Sequence, residues 1–238
     1  MIRALRYGLT LLFATVYYGL IVMAAGLLRV KYRPGGVYDA MPYRWASFLL
    51  RANRLTVHAE GLEQLEPGRP YVFASNHLSF VDIWALLVTL PGSIRFVAKR
   101  GLAWVPIMGN AMRVARHVFI DRRNLASAMA AYDEAARVMR SGISAVVFVE
   151  GTRSRDGRLR EFKKGGFVLA IAAQAPLVPV CVSGSREILP RSAVMMRPGT
   201  ITIRIGRPIP TDRLGYGDRD ALSARCRAAI LSMGAIEH

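Results

Sequence analysis

From residue 55 onward the chain alternates short apolar runs with longer segments of helical period. Runs of strand length fall at Thr56–Glu60, Tyr71–Ser75, Ile94–Ala98, Val118–Asp121, Ser144–Val149, Leu177–Val182 and Thr200–Ile205. Several are apolar at consecutive positions, which suits a sheet covered on both faces. Helical period falls on Val81–Leu90, Leu125–Arg140, Lys164–Gln174 and Arg219–Met233. The clearest is Leu125–Arg140, with Asn124 placed as its N-cap and Ser141-Gly142 as its stop. This order predicts an α/β domain over residues 55–238, with a mainly parallel or mixed central sheet flanked by helices. No internal repeat interrupts it.

Residues 1–54 read differently. Gly8 to Leu28 is an uncharged run of 21 residues, about the length that crosses a hydrocarbon core of roughly 30 Å as a helix. Three readings compete. Arg3 and Arg6 before the run, with Val22-Met23-Ala24 as a cleavage site, fit a signal peptide. The run also fits a single span, or a helix that enters one leaflet and returns. Arg29, Lys31 and Arg33 follow it, so both flanks are basic and neither end is favoured for translocation. That suits a helix with both ends near the cytoplasmic face of the cell membrane. Met41 to Leu55 adds Trp45, Phe48, Leu49 and Leu50 beside Arg44, Arg51 and Arg54, the pattern of an interfacial amphipathic helix. Pro34-Gly35-Gly36 reads as the hinge between the two. Residues 1–54 are therefore expected to form membrane-anchoring helices.

Charge narrows the partners. Lys plus Arg number 33 against 16 acidic residues, a net charge of +17. So large an excess implies a nucleic acid, an anionic membrane surface or an acidic carrier protein. Hydrophobic residues make up 53% of the chain and no basic low-complexity tail is present, which argues against nucleic acid. Cys181 and Cys226 are the only cysteines and lack metal spacing. They suit a reducing compartment without a disulfide framework.

The candidate chemistry centres on Ser75-Asn76-His77-Leu78-Ser79-Phe80-Val81-Asp82, at a predicted strand-to-helix turn. Positions five apart diverge by about 140° on an ideal helix. His77 and Asp82 meet only if His77 lies in the turn and Asp82 in the first helical turn. There the carboxylate gains from the positive helix N-terminus. Such a pair is the orienting half of a Ser-His-Asp arrangement. Taken alone, the octapeptide is read equally by a capping carboxylate and a satisfied polar histidine. A Gly-x-Ser-x-Gly elbow, a Walker A loop, a Rossmann fingerprint and a zinc signature are absent. The chain thus offers a base without a covalent nucleophile, which suffices if the substrate brings its own hydroxyl.

Two further stretches carry polar ends. Val118-Phe119-Ile120-Asp121-Arg122 is an apolar strand closing on an acid and a guanidinium. Phe148-Val149-Glu150-Gly151-Thr152-Arg153-Ser154 is a buried strand running into a glycine turn. Turn amides, the Thr152 hydroxyl and an arginine fork would make a phosphate cradle. Solvated surface arginines are the plain alternative for Arg122 and Arg153. Each stretch follows a strand, and ligands of open α/β sheets bind beyond the carboxyl ends of strands.

Taken together and in order, these stretches resemble the glycerolipid acyltransferase family, specifically the 1-acylglycerol-3-phosphate acyltransferases. Asn76 to Asp82 is similar to that family's His-x-x-x-x-Asp motif. Val118 to Arg122 is similar to the second motif, with Arg116 where a glycine usually leads. Glu150 to Ser154 is similar to the third, with Val149 where proline is common, and Val178-Pro179-Val180-Cys181-Val182 to the fourth. Ala98-Lys99-Arg100 and Pro106-Ile107-Met108-Gly109 resemble the segment between the first two. The likeness runs from about Leu55 to Arg207.

The resemblance implies a mechanism without metal or cofactor. His77 would be the general base on the free hydroxyl of a lysophospholipid, oriented by Asp82. That hydroxyl would attack the thioester of acyl-CoA or acyl-carrier protein directly. Arg122 and Arg153, with Gly151 and Thr152, would hold the phosphate. Glu150 would order their loop, and Lys99 would join the same anionic pocket. Ser79 and nearby amides are candidate oxyanion donors. Acylation of another lyso-lipid, such as lyso-ornithine lipid, lipid hydrolysis, and silent lipid binding at a membrane are the alternatives.

Overall fold

The computed structural model describes residues 2–121, 125–193 and 195–237. Helices α1 (Ile2–Leu27) and α2 (Val37–Ala52) come first. They are followed by β1 (Leu55–Glu60), β2 (Val72–Ser75), α3 (Asp82–Thr89), β3 (Ile94–Lys99), α4 (Met108–Val114) and β4 (Val118–Ile120). The second half runs α5 (Leu125–Met139), β5 (Ser144–Phe148), β6 (Arg158–Leu159), α6 (Gly165–Ala173), β7 (Leu177–Ser183), α7 (Ser185–Ile188), β8 (Gly199–Ile205), α8 (Arg219–Ser232) and β9 (Ile236–Glu237). Seven strands form one sheet in the order β1-β8-β7-β2-β5-β3-β4, and β6 and β9 pair separately. Every neighbouring pair of the large sheet is parallel except β7 with β8. The expected α/β domain with a mixed sheet is thus observed.

The consecutive apolar runs follow from cover on both faces. Along β2, Val72 and Ala74 join a core with Phe167 and Leu169 of α6, Met139 of α5 and Cys226 of α8. Phe73 between them joins the opposite core, with Trp84 and Leu86 of α3 and Leu49 of α2. Burying one such Leu or Phe side chain is worth about 1.5–3 kcal/mol, so a polar residue at either parity of β2 would be costly. Both cysteines are buried and reduced, and burial pushes their thiols up, to about 11 for Cys181 and about 12 for Cys226.

Among the described residues α1 is the one helix long and apolar enough to cross a membrane, with a mean hydropathy of 1.9 over its apolar window. One face leaves Leu9, Leu12, Phe13 and Leu20 exposed. Another meets α4 at two glycines. A Cβ on Gly19 would lie 2.6 Å from Ile107 Cγ2, and one on Gly26 would lie 2.6 Å from Val114 Cγ1. Only residues without a side chain allow that approach.

The second basic-apolar segment differs from its expectation. Met41, Ala46, Leu49 and Leu50 of α2 are buried in the protein's own cores. Its apolar face is consumed by α1, α3 and β1 rather than presented to an interface. Arg44 and Arg51 remain outside, together with the Tyr43 ring. The periodicity is the same for either outcome, because a helix packed on protein and one packed on lipid need the same stripe.

Candidate active site

Four adjacent parallel strands, β2, β5, β3 and β4, end on one edge of the sheet. Ser75 of β2 is in register with Phe148 of β5. The loops that leave them, carrying His77 and Glu150, therefore start side by side. Lys99 closes β3 at the same edge, next to β4. Arg122, two residues past β4, lies outside the described residues.

Helix α3 opens at Asp82, one position later than the apolar pattern suggests. Its carboxylate turns back over the preceding loop. Asp82 Oδ2 accepts the amides of Leu78 at 2.7 Å and Ser79 at 2.8 Å, and meets His77 Nδ1 at 2.8 Å. An oxygen already holding two N–H donors makes Nδ1 the proton-bearing nitrogen and leaves the Nε2 lone pair open. Asp82 is fully buried, whereas the His77 side chain keeps 13% of its surface. The imidazole lies flat on Phe148, with centroids 3.7 Å apart and planes 12° from parallel. The ring is thus fixed in tautomer by Asp82 and in plane by Phe148.

Glu150 braces the base from behind. Its Oε1 accepts the His77 amide at 2.9 Å and its Oε2 accepts the Arg160 amide at 3.0 Å. The His77 carbonyl in turn accepts the Ser154 amide at 2.8 Å. Burial raises the Glu150 carboxyl above its ordinary range, and the two amides partly offset this. Both Glu150 oxygens are thus occupied by backbone amides.

Two expectations change. Ser79 is fully buried, and its hydroxyl donates to Leu189 O at 2.6 Å. The Ser79 and Leu78 amides are both held by Asp82, so neither the serine nor these amides face a reacting carbonyl. The sequence showed a hydroxyl between the two candidate residues but not which way it turned. In the glycine turn, Gly151 takes φ +73° and its amide closes onto Phe148 O. The Ser154 amide is likewise engaged, by His77 O. The cradle's amides are therefore fewer than the motif suggests.

His77 opens onto a cavity of about 410 Å³. Lys99, Gly151, Thr152 and Arg153 line it together with His77. Lys99 and Arg153 form no ion pair among the described residues. The remainder is apolar, built from Val22 of α1, Met41 of α2, Leu87 of α3 and Met112 of α4, among others. A histidine and two cations without an ion-pair partner among the described residues, sharing a cavity with apolar walls, make a site for an amphiphile with an anionic group.

The profile of the Acyltransferase family matches residues 56–183, more than half of the chain. The chain belongs to the acyltransferase family. It is similar to 1-acyl-sn-glycerol-3-phosphate acyltransferase alpha of Homo sapiens, 33% identical over 180 residues, covering 75% of this chain and 64% of that protein. It is also similar to 1-acyl-sn-glycerol-3-phosphate acyltransferase of Cocos nucifera, 32% identical over 215 residues, covering 89% of this chain and 68% of that one. The chain thus spans roughly two thirds of the length of these relatives. A crystal structure of the 1-acyl-sn-glycerophosphate acyltransferase PlsC from Thermotoga maritima superposes with a TM-score of 0.80 at 23% identity, over 100% of this chain and 97% of that one. At that identity the likeness is one of fold.

Three residues of this acyltransferase support the site and escaped sequence reasoning. Asn76 locks the loop to β7, donating to Val182 O at 2.9 Å and accepting the Val182 amide at 2.7 Å. Phe148 gives the base its stacking surface. His117 lines the cavity and its Nδ1 accepts the Phe96 amide at 3.0 Å. Asn76 was visible as part of the first motif, but its partner is 106 residues away and no local signal names it.

Proposed function

We propose that this acyltransferase moves a fatty acyl group from acyl-CoA or acyl-carrier protein to the free hydroxyl of 1-acylglycerol-3-phosphate, giving phosphatidic acid. The observation that carries the reading is the His77 imidazole, tied at Nδ1 to Asp82 and lining one cavity with Lys99, Arg153 and apolar walls. His77 Nε2 takes the proton of the acceptor hydroxyl as its oxygen attacks the thioester carbonyl. The C–S bond breaks, and the departing thiolate recovers that proton from the imidazolium. Arg153, Thr152, Gly151 and Lys99 hold the acceptor's phosphate, and Arg122 joins them from the end of β4. Glu150 sets the loop. Apolar walls take the acyl chain, so binding energy remote from the reacting atoms positions them.

Within residues 1–54, helix α1 acts as the anchor, with the site at the cytoplasmic face of the cell membrane. The exposed apolar face of α1 and the net charge of +17 support attachment to an anionic leaflet. An acidic carrier protein or the polyanionic CoA suits the same field. The test is acyl transfer by the purified protein in detergent, from labelled acyl-CoA and acyl-carrier protein, to lysophosphatidic acid and to lyso-lipids without phosphate. Transfer to lysophosphatidic acid is expected, with weaker transfer to acceptors lacking the phosphate. No transfer to any acceptor overturns the proposal, and preference for a phosphate-free acceptor replaces its substrate.

A further inference from the structure

The three tryptophans of the chain are placed in contrasting ways. Trp84 is fully buried and Trp45 is packed against the same core. Trp104 is 76% exposed. It ends a 3-10 turn, Arg100–Trp104, whose Leu102 lines the active-site cavity. The turn therefore runs from the cavity wall to the outer surface.

The support under Trp104 is rigid. A Cβ on Gly109 would lie 2.4 Å from Ala103 O, so the start of α4 presses directly beneath the turn. Ile107 has φ +62° and ψ −61°, and the Met108 amide donates to Pro106 O. That is a γ-turn of the strained kind, costly for a β-branched residue. It drives the Ile107 side chain against Gly19 of α1. Two residues separate Trp104 from Ile107, so the Trp104 Cα lies within about 11 Å of chain from that of Ile107, which meets α1.

A lone exposed apolar residue needs no explanation; the company of Trp104 does. Val105 beside it is partly exposed. Arg113 sits 5.9 Å from the ring centroids of both Trp104 and Phe119. Arg100, on the same turn, is 61% exposed and pairs with Asp121 across 3.4 Å at the surface. Tryptophan flanked by arginines is the composition of a membrane–water interface. Stacking of a soluble donor's adenine on Trp104 is the competing use. Contact with α1, whose Leu9, Leu12, Phe13 and Leu20 face outward, favours the bilayer.

We infer that Trp104 and Val105 are a second membrane contact, in which the indole seats at headgroup level and Arg100 and Arg113 reach the phosphates of an anionic bilayer. With α1 as the first contact, two points fix the orientation of the molecule and turn the cavity toward the lipid. The inference rests on the reading of that cavity as a lipid site.

The test reconstitutes the full chain and Trp104→Phe into vesicles of phosphatidylglycerol and phosphatidylcholine, with and without bromine on the acyl chains near the headgroup. The wild-type minus Trp104→Phe difference spectrum isolates the exposed indole. It is expected to be blue-shifted, quenched by the bromolipid and shielded from aqueous iodide. Trp104→Ala is expected to lower kcat/KM about fivefold to tenfold for acceptor presented in vesicles, with no change for a short-chain acceptor that is monomeric in solution. A water-like difference spectrum quenched by iodide and untouched by bromolipid overturns the inference. So does a Trp104→Ala defect confined to the KM for acyl-CoA. If the wild type acylates no acceptor, the proposed function fails while the spectra still decide the membrane contact.

Discussion

Glu150 and His77 are joined by a 2.9 Å hydrogen bond from the histidine's amide to one carboxylate oxygen. The other oxygen holds the Arg160 amide. One buried side chain therefore ties the loop of the base to the loop of the cations. In Glu150→Gln one oxygen becomes an NH₂ group facing an N–H donor, so one of the two bonds is lost. A hydrogen bond to a charged group is worth about 1.5–3 kcal/mol. We predict a loss of stability of that order in urea unfolding, with a fall in kcat of roughly tenfold or more. Unchanged kcat in a destabilised protein would show that the brace holds the fold and not the base.

His77→Ala removes the imidazole proposed to take the acceptor's proton. General-base removal costs about 10²–10⁴-fold, and turnover is expected to drop by at least that much while the α1 attachment is unaffected. Asp82→Asn should be similar in size for a different reason. Its amide nitrogen or oxygen must face His77 Nδ1 and two backbone donors at once, so the tautomer is no longer fixed. Single-turnover acyl transfer measures both, and near-normal rates in His77→Ala would remove the base assignment.

Arg153→Ala tests the cationic end of the cavity. Its guanidinium has no carboxylate partner among the described residues, and it lines the same cavity as His77. Loss of a charge-assisted contact to phosphate should raise KM for phosphate-bearing acceptors by about tenfold or more, with a smaller change in kcat. Steady-state kinetics on acceptors with and without phosphate separates the cases. An equal loss on both would mean that the arginine shapes the loop and does not read the anion.

Much of this was legible in the chain. From residue 55 onward the bounds of the expected strands and helices fall within a residue or two of the pattern, because both faces of β2, β5 and β7 are buried and leave uninterrupted apolar runs. The meeting of His77 and Asp82 was legible too, since a spacing of five closes only across a helix start. What was not legible is what other elements decide. Whether α2 faces protein or lipid depends on where α1 and α3 sit, and its stripe serves either. Ser79 turns to Leu189, 110 residues on, and Asn76 to Val182, so their roles are set by contacts that no local spacing encodes. Helix α4 and the turn before it were also unread as structure, because Ile107 adopts a conformation its own side chain disfavours.

The apolar walls make a chain-length prediction. Ala111 of α4 lines the cavity among Met108 and Met112, beside the α1 contact at Gly19. Ala111→Phe would place a ring in that space. Longer acyl chains should lose more kcat/KM than shorter ones, on the scale of roughly 1–3 kcal/mol or 10- to 200-fold per displaced segment. Acyl-donor and acceptor series of graded length provide the measurement. A uniform loss across lengths would place the acyl chain elsewhere.

His117 supplies the pH dependence. Burial, together with the nearby Arg95 charge, pulls its imidazole down to about 3, against the hydrogen bond from the Phe96 amide, which acts the other way. In the unfolded chain the same group titrates near 6.5. Between these values the unfolded state binds a proton that the native state refuses, so stability falls as pH is lowered from about 6.5 and continues to fall toward 3. The slope attributable to one such group is about 1 kcal/mol per pH unit at pH 6 and approaches about 1.4 kcal/mol per pH unit below it. Other carboxylates add their own slopes below about pH 5, so the window from 6.5 to 5 is the informative one. His117→Gln keeps an acceptor for the Phe96 amide and carries no titrating ring. Its urea-unfolding free energy is expected to be flatter than that of the wild type across that window. Equal slopes would mean that the imidazole is protonated in the native protein, and that the amide of Phe96 has lost its acceptor.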